Sequence, residues 1–269
     1  MTTLPSGPEG TSETGTGGYD RAQASHLQRQ VAEGFGTDAG RYDRARPTYP
    51  AGLMDRIIAA SPGRDVLDVG CGTGISARLF QAAGCRVLGV DPDPRMAEQG
   101  RQGGTETEVA KFEDWDPAGR TFDAVIAAQA WHWVDPVRAL PEVARVLTPG
   151  GRLGLVWNIR DEREDWVAQL GRTMHRHGEE ADGDPAPAVG RPFAPLQRHD
   201  VEWGYHLSRA ALVDLVASRS YVITLPEPQR TALLADVREL VNAHPALAGA
   251  GEIVVPYVTW CYRTDLVAA

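Results

Sequence analysis

Residues 66–74 read VLDVGCGTG. Asp65–Val69 reads as a short buried strand. Gly70, Gly72 and Gly74 follow at every second position, and helical spacing begins at Ile75. Glycine removes the side chain where backbone must approach a ligand or take a positive φ, and the new helix offers free N–H groups beside it. Strand, glycine turn and helix in that order place the turn at the carboxyl end of a first strand, where open α/β sheets bind ligands. Asp91 lies seventeen residues after Gly74 and ends a second expected buried strand, Arg86–Val90. A carboxylate there can accept hydrogen bonds from both hydroxyls of a ribose.

Two kinds of nucleoside cofactor use such a layout. Dinucleotide sites carry G-x-G-x-x-G and set a pyrophosphate on the helix terminus. Here the spacing is G-x-G-x-G, one residue shorter, and Asp68 stands two residues before the first glycine. A carboxylate so close would repel a pyrophosphate. It suits a nucleoside with a positively charged amino group, as in the methionine end of S-adenosylmethionine.

Working outward, the same alternation continues. Leu53, Met54, Ile57 and Ile58 share one helical face, and Pro62-Gly63 ends that helix. The helix after the glycine turn runs to Ala83, with Gly84 as its terminator. Asp93-Pro94 and Asp135-Pro136 are both helix starts, an N-cap followed by proline. Thr105–Ala110, Phe122–Ala128 and Leu153–Trp157 read as third, fourth and fifth strands, with Thr148–Gly151 as a turn before the fifth. Val137, Leu140, Ala144 and Leu147 recur at helical spacing between the last two. Residues 161–178 read as a helix carrying Trp166, Leu170 and Met174. Residues 179–195 are acidic and rich in Pro and Gly, the composition of a loop. Val201–Leu207 and Glu252–Arg263 read as strands, with Pro256 marking a bulge or an edge. Ser208–Ala217 and Pro228–Ala243 read as helices. Residues 1–19 lack the apolar content to offset chain entropy and are expected to form a disordered tail, with a short helix at 21–33. The remainder, 20–269, is expected to be one domain, with 161–200 as a cap or lid insertion.

Bulk properties bound the function. The 269 residues carry a net charge of −9, 42% hydrophobic and 23% charged residues. No basic stripe of the kind that phosphate contacts require is visible, so nucleic acid is not the expected partner. No run approaches a membrane span and no secretory leader is evident, which makes the cytoplasm the expected location. Cys71, Cys85 and Cys261 are scattered and odd in number, neither a disulfide framework nor a zinc pattern. His26, His175, His177, His199, His206 and His244 show no metal-ligand spacing and read as solvated surface residues, and no metal is expected.

In combination these segments resemble the class I S-adenosylmethionine-dependent methyltransferases, in particular the bacterial small-molecule group often labelled type 11 and related to trans-aconitate methyltransferase. The resemblance rests on VLDVGCGTG (66–74), VLGVDPDPRM (87–96), KFEDW (111–115), FDAVIAAQAWHWVDP (122–136), VLTPGGRLGLVWN (146–158) and RYDRARPTYP (41–50), with LVASRSYV (215–222) further on. It is poor over 160–205. It implies a Rossmann-like α/β fold: a seven-stranded, mostly parallel sheet in the order 3-2-1-4-5-7-6, helices on both faces, a helical cap and an antiparallel last strand. It implies that Asp68, Gly70, Gly72 and Gly74 hold the methionine end of the cofactor and Asp91 the ribose. Pro92 and Met96 would flank the adenine, with Phe112 and Glu113 at its polar edge. Tyr42 and Arg46 would close over the methionine carboxylate, where Arg46 supplies the matching charge. Lys111 departs from the acidic residue often found nearby, which loosens the adenine assignment relative to the ribose.

The chemistry then needs alignment, exclusion of water and management of one proton. Alignment is worth on the order of 7–11 kcal/mol, and a positioned base about 10²–10⁴-fold in rate. His132, in AWHWV after the fourth strand, is the candidate base; the alternatives are packing between Trp131 and Trp133, or orienting the substrate. A carboxylic acid acceptor would need no base, and His132 would then bind it. Trp131, Trp133 and Trp157 fall near the ends of the fourth and fifth strands, either as aromatic walls for substrate and sulfonium or as core, with Trp133 the one expected in the core. Gln129 is expected against cofactor or backbone. The resemblance brings Arg219 and Tyr221 over the pocket. The expected function is methyl transfer to a small metabolite, at oxygen ahead of carbon or nitrogen, as in natural-product biosynthesis. The rivals are an RNA or protein methyltransferase, which would show a basic surface or an N/D-P-P-Y/W motif where this chain has AQAWHW, and a non-catalytic protein that binds the cofactor as scaffold or sensor.

Overall fold

The computed structural model describes residues 38–59, 61–176, 187 and 189–267. The expected tail at 1–19, the helix at 21–33 and most of the loop at 179–195 lie outside them.

Helix α1 (Ala39–Ala45) and helix α2 (Leu53–Ile58) lead into β1 (Asp65–Val69), α3 (Ile75–Ala82), β2 (Arg86–Asp91), α4 (Pro94–Gln102) and β3 (Glu106–Val109). Then come β4 (Phe122–Ala128), α5 (Pro136–Val146), β5 (Leu147–Arg160), α6 (Asp165–His175), β6 (Gln197–Leu207), α7 (Arg209–Ala217), α8 (Ser220–Thr224), α9 (Glu227–Ala243) and β7 (Ile253–Asp265). The seven strands form one sheet in the order β3-β2-β1-β4-β5-β7-β6. β1 to β5 pair in parallel, and β7 runs antiparallel to both β5 and β6.

Strand residues alternate between two cores, as the pleat requires. Leu67, Val69, Val125, Ala127, Leu153 and Leu155 pack with α5 on one face, while Val66, Ala124, Ile126 and Val156 meet Ile57 of α2 and Phe80 of α3 on the other. That is why β1, β4 and β5 carry apolar residues on both faces. A further cluster joins Trp166, Leu170 and Met174 of α6 with Leu212 and Val216 of α7, Leu233 and Val237 of α9, and Val255 of β7. The helix starts follow their sequence signals: Asp93 accepts from Arg95 N, Asp135 from Val137 N and Ser208 from Ala211 N.

Four local expectations change. Val137 is 75% exposed, because α5 meets the sheet through Ala139, Val143 and Val146; Val137 is two residues, about 200° of helix, from Ala139. The turn at 148–151 is absorbed into β5, whose register against β4 shifts there with Gly150 at φ +77°. Pro256 is not on an edge strand. It lies one residue past the end of the β5 pairing, where its carbonyl accepts from Asp161 N, so its missing N–H interrupts no ladder. His244 is not a solvated residue: its side chain is 12% exposed, faces Asp165 and caps Ala246 N. No helix among the described residues is long and apolar enough to cross a membrane.

Candidate active site

The carboxyl ends of β1, β2, β4 and β5 open into one cleft of about 1280 Å³, counted out to its mouth.

The floor is the glycine turn. Gly70 sits at φ +67° and Gly72 at φ +55°, both left-handed, and both line the cleft. A Cβ on Gly70 would lie 2.5 Å from Ala130 Cβ. Asp91 closes β2 against this turn: Gly72 N donates to its Oδ2 at 2.8 Å and Asp93 N to its Oδ1 at 2.9 Å. Each oxygen keeps a lone pair for a ligand hydroxyl. Burial raises its pKa to about 6, the Asp93 charge adding to the rise while the two backbone N–H groups oppose it. Pro92, Met96, Phe112 and Glu113 continue the wall, and Glu113 Oε1 also accepts from Asp135 N at the start of α5.

Asp68 lies beneath the turn, fully buried and off the cleft wall. Ser76 Oγ donates to its Oδ2 at 2.6 Å, while its Oδ1 has no hydrogen-bond partner. Burial raises its pKa to about 7, with the charge of Asp91 adding and the Ser76 hydrogen bond opposing. Gly74 is also off the wall. Its φ of +82° starts α3, and a Cβ there would strike Thr105 Oγ1 at 2.7 Å, so it serves packing rather than ligand contact.

The roof comes from far upstream. Tyr42 and Arg46 line the cleft, the guanidinium 4.7 Å from the Tyr42 ring centroid. Arg46 Nη2 donates to Ser218 O at 3.0 Å, and its buried Nε has no hydrogen-bond partner. Burial lowers its pKa, and nearby Arg219 adds to the effect. Asp43 Oδ1 accepts from Thr73 Oγ1 at 2.6 Å and Arg78 Nη2 at 2.7 Å, fastening α1 to the glycine turn.

Beyond the turn the wall is made by Gln129, Trp133, Asn158, Arg160, Arg219 and Tyr257. Gln129 holds a left-handed φ of +56°, its side chain donating to Asn158 O. Such strain at a strand end marks a site held by its surroundings. The aromatic assignments reverse. Trp131 and Trp157 are core residues, 5% and 4% exposed, and do not line the cleft, whereas Trp133 does. The Trp131–Trp133 segment is a 3-10 turn, which points neighbouring side chains in different directions. His132 is off the wall too, its ring 4.8 Å from that of Trp133, and its Nδ1 faces Trp157 Nε1 at 3.3 Å. Tyr221 packs against the α6–α7–α9 cluster instead of the cleft.

Sequence reasoning missed Tyr49, Thr73, Ser76, Asn158, Arg160 and Tyr257. Tyr49 lay within the quoted RYDRARPTYP segment, and Asn158 and Arg160 only one and three residues past Trp157. Tyr257 left no local signal. Among the described residues, no group of three His, Cys, Asp or Glu side chains gathers as a metal site.

The arrangement fits S-adenosylmethionine on its own geometry. Bare backbone at Gly70 and Gly72 permits close approach, Asp91 presents two acceptor oxygens, the unpartnered Asp68 Oδ1 sets negative charge below the turn, and the unpartnered Arg46 Nε sets a donor above it.

A family model described as a methyltransferase domain matches residues 67–155. Over 245 residues the chain is 47% identical to an uncharacterized methyltransferase of Mycobacterium tuberculosis, covering 89% of this chain and 98% of that protein. It is 33% identical to an aklanonic acid methyltransferase of a Streptomyces species, over 49% of this chain and 66% of the relative. Among solved structures, one described as a type II methyltransferase from Anaeromyxobacter dehalogenans superposes with a TM-score of 0.60 at 26% identity, covering 83% of this chain and 99% of that one.

Proposed function

The chain belongs to the class I S-adenosylmethionine-dependent methyltransferases, and from that premise we propose that it methylates an oxygen of a small-molecule acceptor, with a carboxylate the best-matched form. Bound in the cleft, the cofactor supplies a methyl group on a positively charged sulfur.

The observation that carries this reading is the Trp157–His132 contact. An indole N–H can only donate, so the His132 nitrogen facing it, Nδ1, is the acceptor. In the neutral ring the proton then sits on Nε2, which makes that edge a donor and not a base. An acceptor that arrives already ionised needs no base. Its charge also suits a wall that includes Arg160 and Arg219.

Each remaining step belongs to the chain. Asp91 takes the ribose hydroxyls, the glycine turn admits the amino-acid portion, and Arg46 pairs with its carboxylate. Trp133, Gln129, Asn158 and Tyr257 shape the space beyond, which supports a small acceptor over a polymer. Merging a cationic donor with an anionic acceptor into neutral product is favoured where water is excluded, and the roof of Tyr42, Arg46 and Tyr49 excludes it.

The test is turnover with methyl-labelled S-adenosylmethionine on paired acceptors, each acid beside its alcohol and amine analogue. Base-labile label in the acids supports the reading. Label in RNA, protein, or the amine alone overturns it, as does cofactor binding without transfer to any member of a broad panel.

A further inference from the structure

We propose that Asn158 is a positioning residue: it clasps the strap of residues 46–50 over the cleft and so sets Arg46 and Tyr49 in place. The strap reads RPTYP. Its two prolines lack backbone N–H groups, and among the described residues no helix or sheet hydrogen bond holds Pro47, Thr48 or Tyr49. The exposed Thr48 carbonyl is held by Asn158 Nδ2, which donates to it at 2.8 Å across 110 residues of sequence.

The orientation of the amide is fixed from behind. Trp203 Nε1 of β6 donates to Thr259 Oγ1 at 2.7 Å. The Thr259 hydroxyl, fully buried on β7, donates in turn to Asn158 Oδ1 at 2.6 Å. Trp203 can only donate, so the Thr259 proton points to Asn158 and the Asn158 oxygen must accept. Its NH₂ is thereby turned to the strap. Gln129 Nε2 donates to the Asn158 backbone oxygen at 3.0 Å and ties the same point to the end of β4. A relay of directed hydrogen bonds thus runs from the edge strand through β7 and β5 to the roof. At this position a side chain must accept on one side and donate on the other, which Asn does and Asp, when ionised, does not.

The proposal deepens the methyltransferase reading, yet its first test needs no ligand. Amide hydrogen exchange is followed in the full chain for wild type, Asn158→Ala, Asn158→Asp and Thr259→Val. Exchange across residues 42–54 is expected to rise by about tenfold in both Asn158 variants and less in Thr259→Val, the loss of one or two net hydrogen bonds, with β1 and β4 unchanged. Calorimetric affinity for adenosylhomocysteine is expected to fall by about three- to tenfold in the same order. Unchanged strap exchange in Asn158→Asp, or a rise spread evenly over the molecule, overturns the proposal. If Asn158→Ala does not fold, Asn158→Asp and Thr259→Val decide. If wild type binds no adenosylhomocysteine, the functional reading fails while the exchange data still judge the clasp.

Discussion

The indole N–H of Trp157 points at Nδ1 of His132, 3.3 Å away. The two residues come from β5 and from the turn after β4, 25 positions apart, and the contact settles which edge of the imidazole can donate. Replacing His132 with Gln keeps an N–H donor and removes the base. With His132 off the cleft wall, we expect His132→Gln and His132→Ala both to lose less kcat than the roughly 10²–10⁴-fold of a lost general base. Steady-state kinetics on an acidic acceptor measure this. Equal losses of that larger size in both variants would restore the base role.

The buried carboxylates predict opposite pH trends for the empty and loaded protein. Asp68 titrates at about 7 and Asp91 at about 6, both raised above the ordinary carboxylate range chiefly by burial. Between pH 4 and 7 the folded chain therefore holds more protons than the unfolded one, and stability from these groups falls as pH rises. The thermal midpoint of unliganded protein should drop from about pH 5 to pH 8 on this account. A cationic cofactor favours the ionised carboxylates, so its affinity should rise over the same interval with protons released on binding. Calorimetry in two buffers of different ionisation enthalpy reads the proton count. Uptake of protons would contradict the assignment.

Asp91→Asn leaves the shape of the ribose site but weakens acceptors that are charge-assisted. The cofactor affinity should fall by about 10–100-fold, the worth of a hydrogen bond to a charged group. It should also lose much of the pH dependence between 5 and 7. Binding titrations at both ends of that range test it, and wild-type affinity in the variant would remove Asp91 from the site.

Gly70→Ala meets two obstacles, a φ of +67° and a Cβ placed 2.5 Å from Ala130 Cβ. The strained backbone alone costs about 1–3 kcal/mol, and the displaced turn should abolish most cofactor binding. Chemical denaturation and adenosylhomocysteine titration measure the two effects. A stable variant with unaltered affinity would show that the turn does not approach the ligand.

Trp131 and Trp133 should separate cleanly. Trp131→Ala empties a core position and is expected to destabilise by about 3–5 kcal/mol. Trp133→Ala, on the cleft wall and half-buried, should change stability little and raise KM for the acceptor. If Trp131→Ala instead shifts acceptor KM at full stability, the assignment of the two rings is wrong.

Much of the site was readable before any coordinates. Asp91, Gly70 and Gly72 carry local signatures, because a glycine turn and a strand end constrain the chain within a few residues of themselves, whereas Met96 and Phe112 enter only through the family resemblance. Which of Trp131 and Trp133 lines the cleft is decided only by the fold, because a 3-10 turn has neither the alternation of a strand nor the stripe of an α-helix. Val137 is in the helix its spacing indicates yet exposed, because helical periodicity shows that a face exists but not which of two flanking stripes meets the sheet.

Order of residues alone established the alternating α/β chain, the parallel strands buried on both faces and the glycine turn beside the strand-end carboxylate of Asp91, since each follows from interactions between near neighbours. Folding in three dimensions established the rest: the donor edge of His132, the roof from 42–49, the clasp of Thr48 by Asn158, and the arrival of Tyr257 beside Arg160 through the antiparallel register of β7 on β5. Those contacts join positions up to 172 residues apart, and no propensity or period reaches that far along a chain; only strand register and packing bring them together.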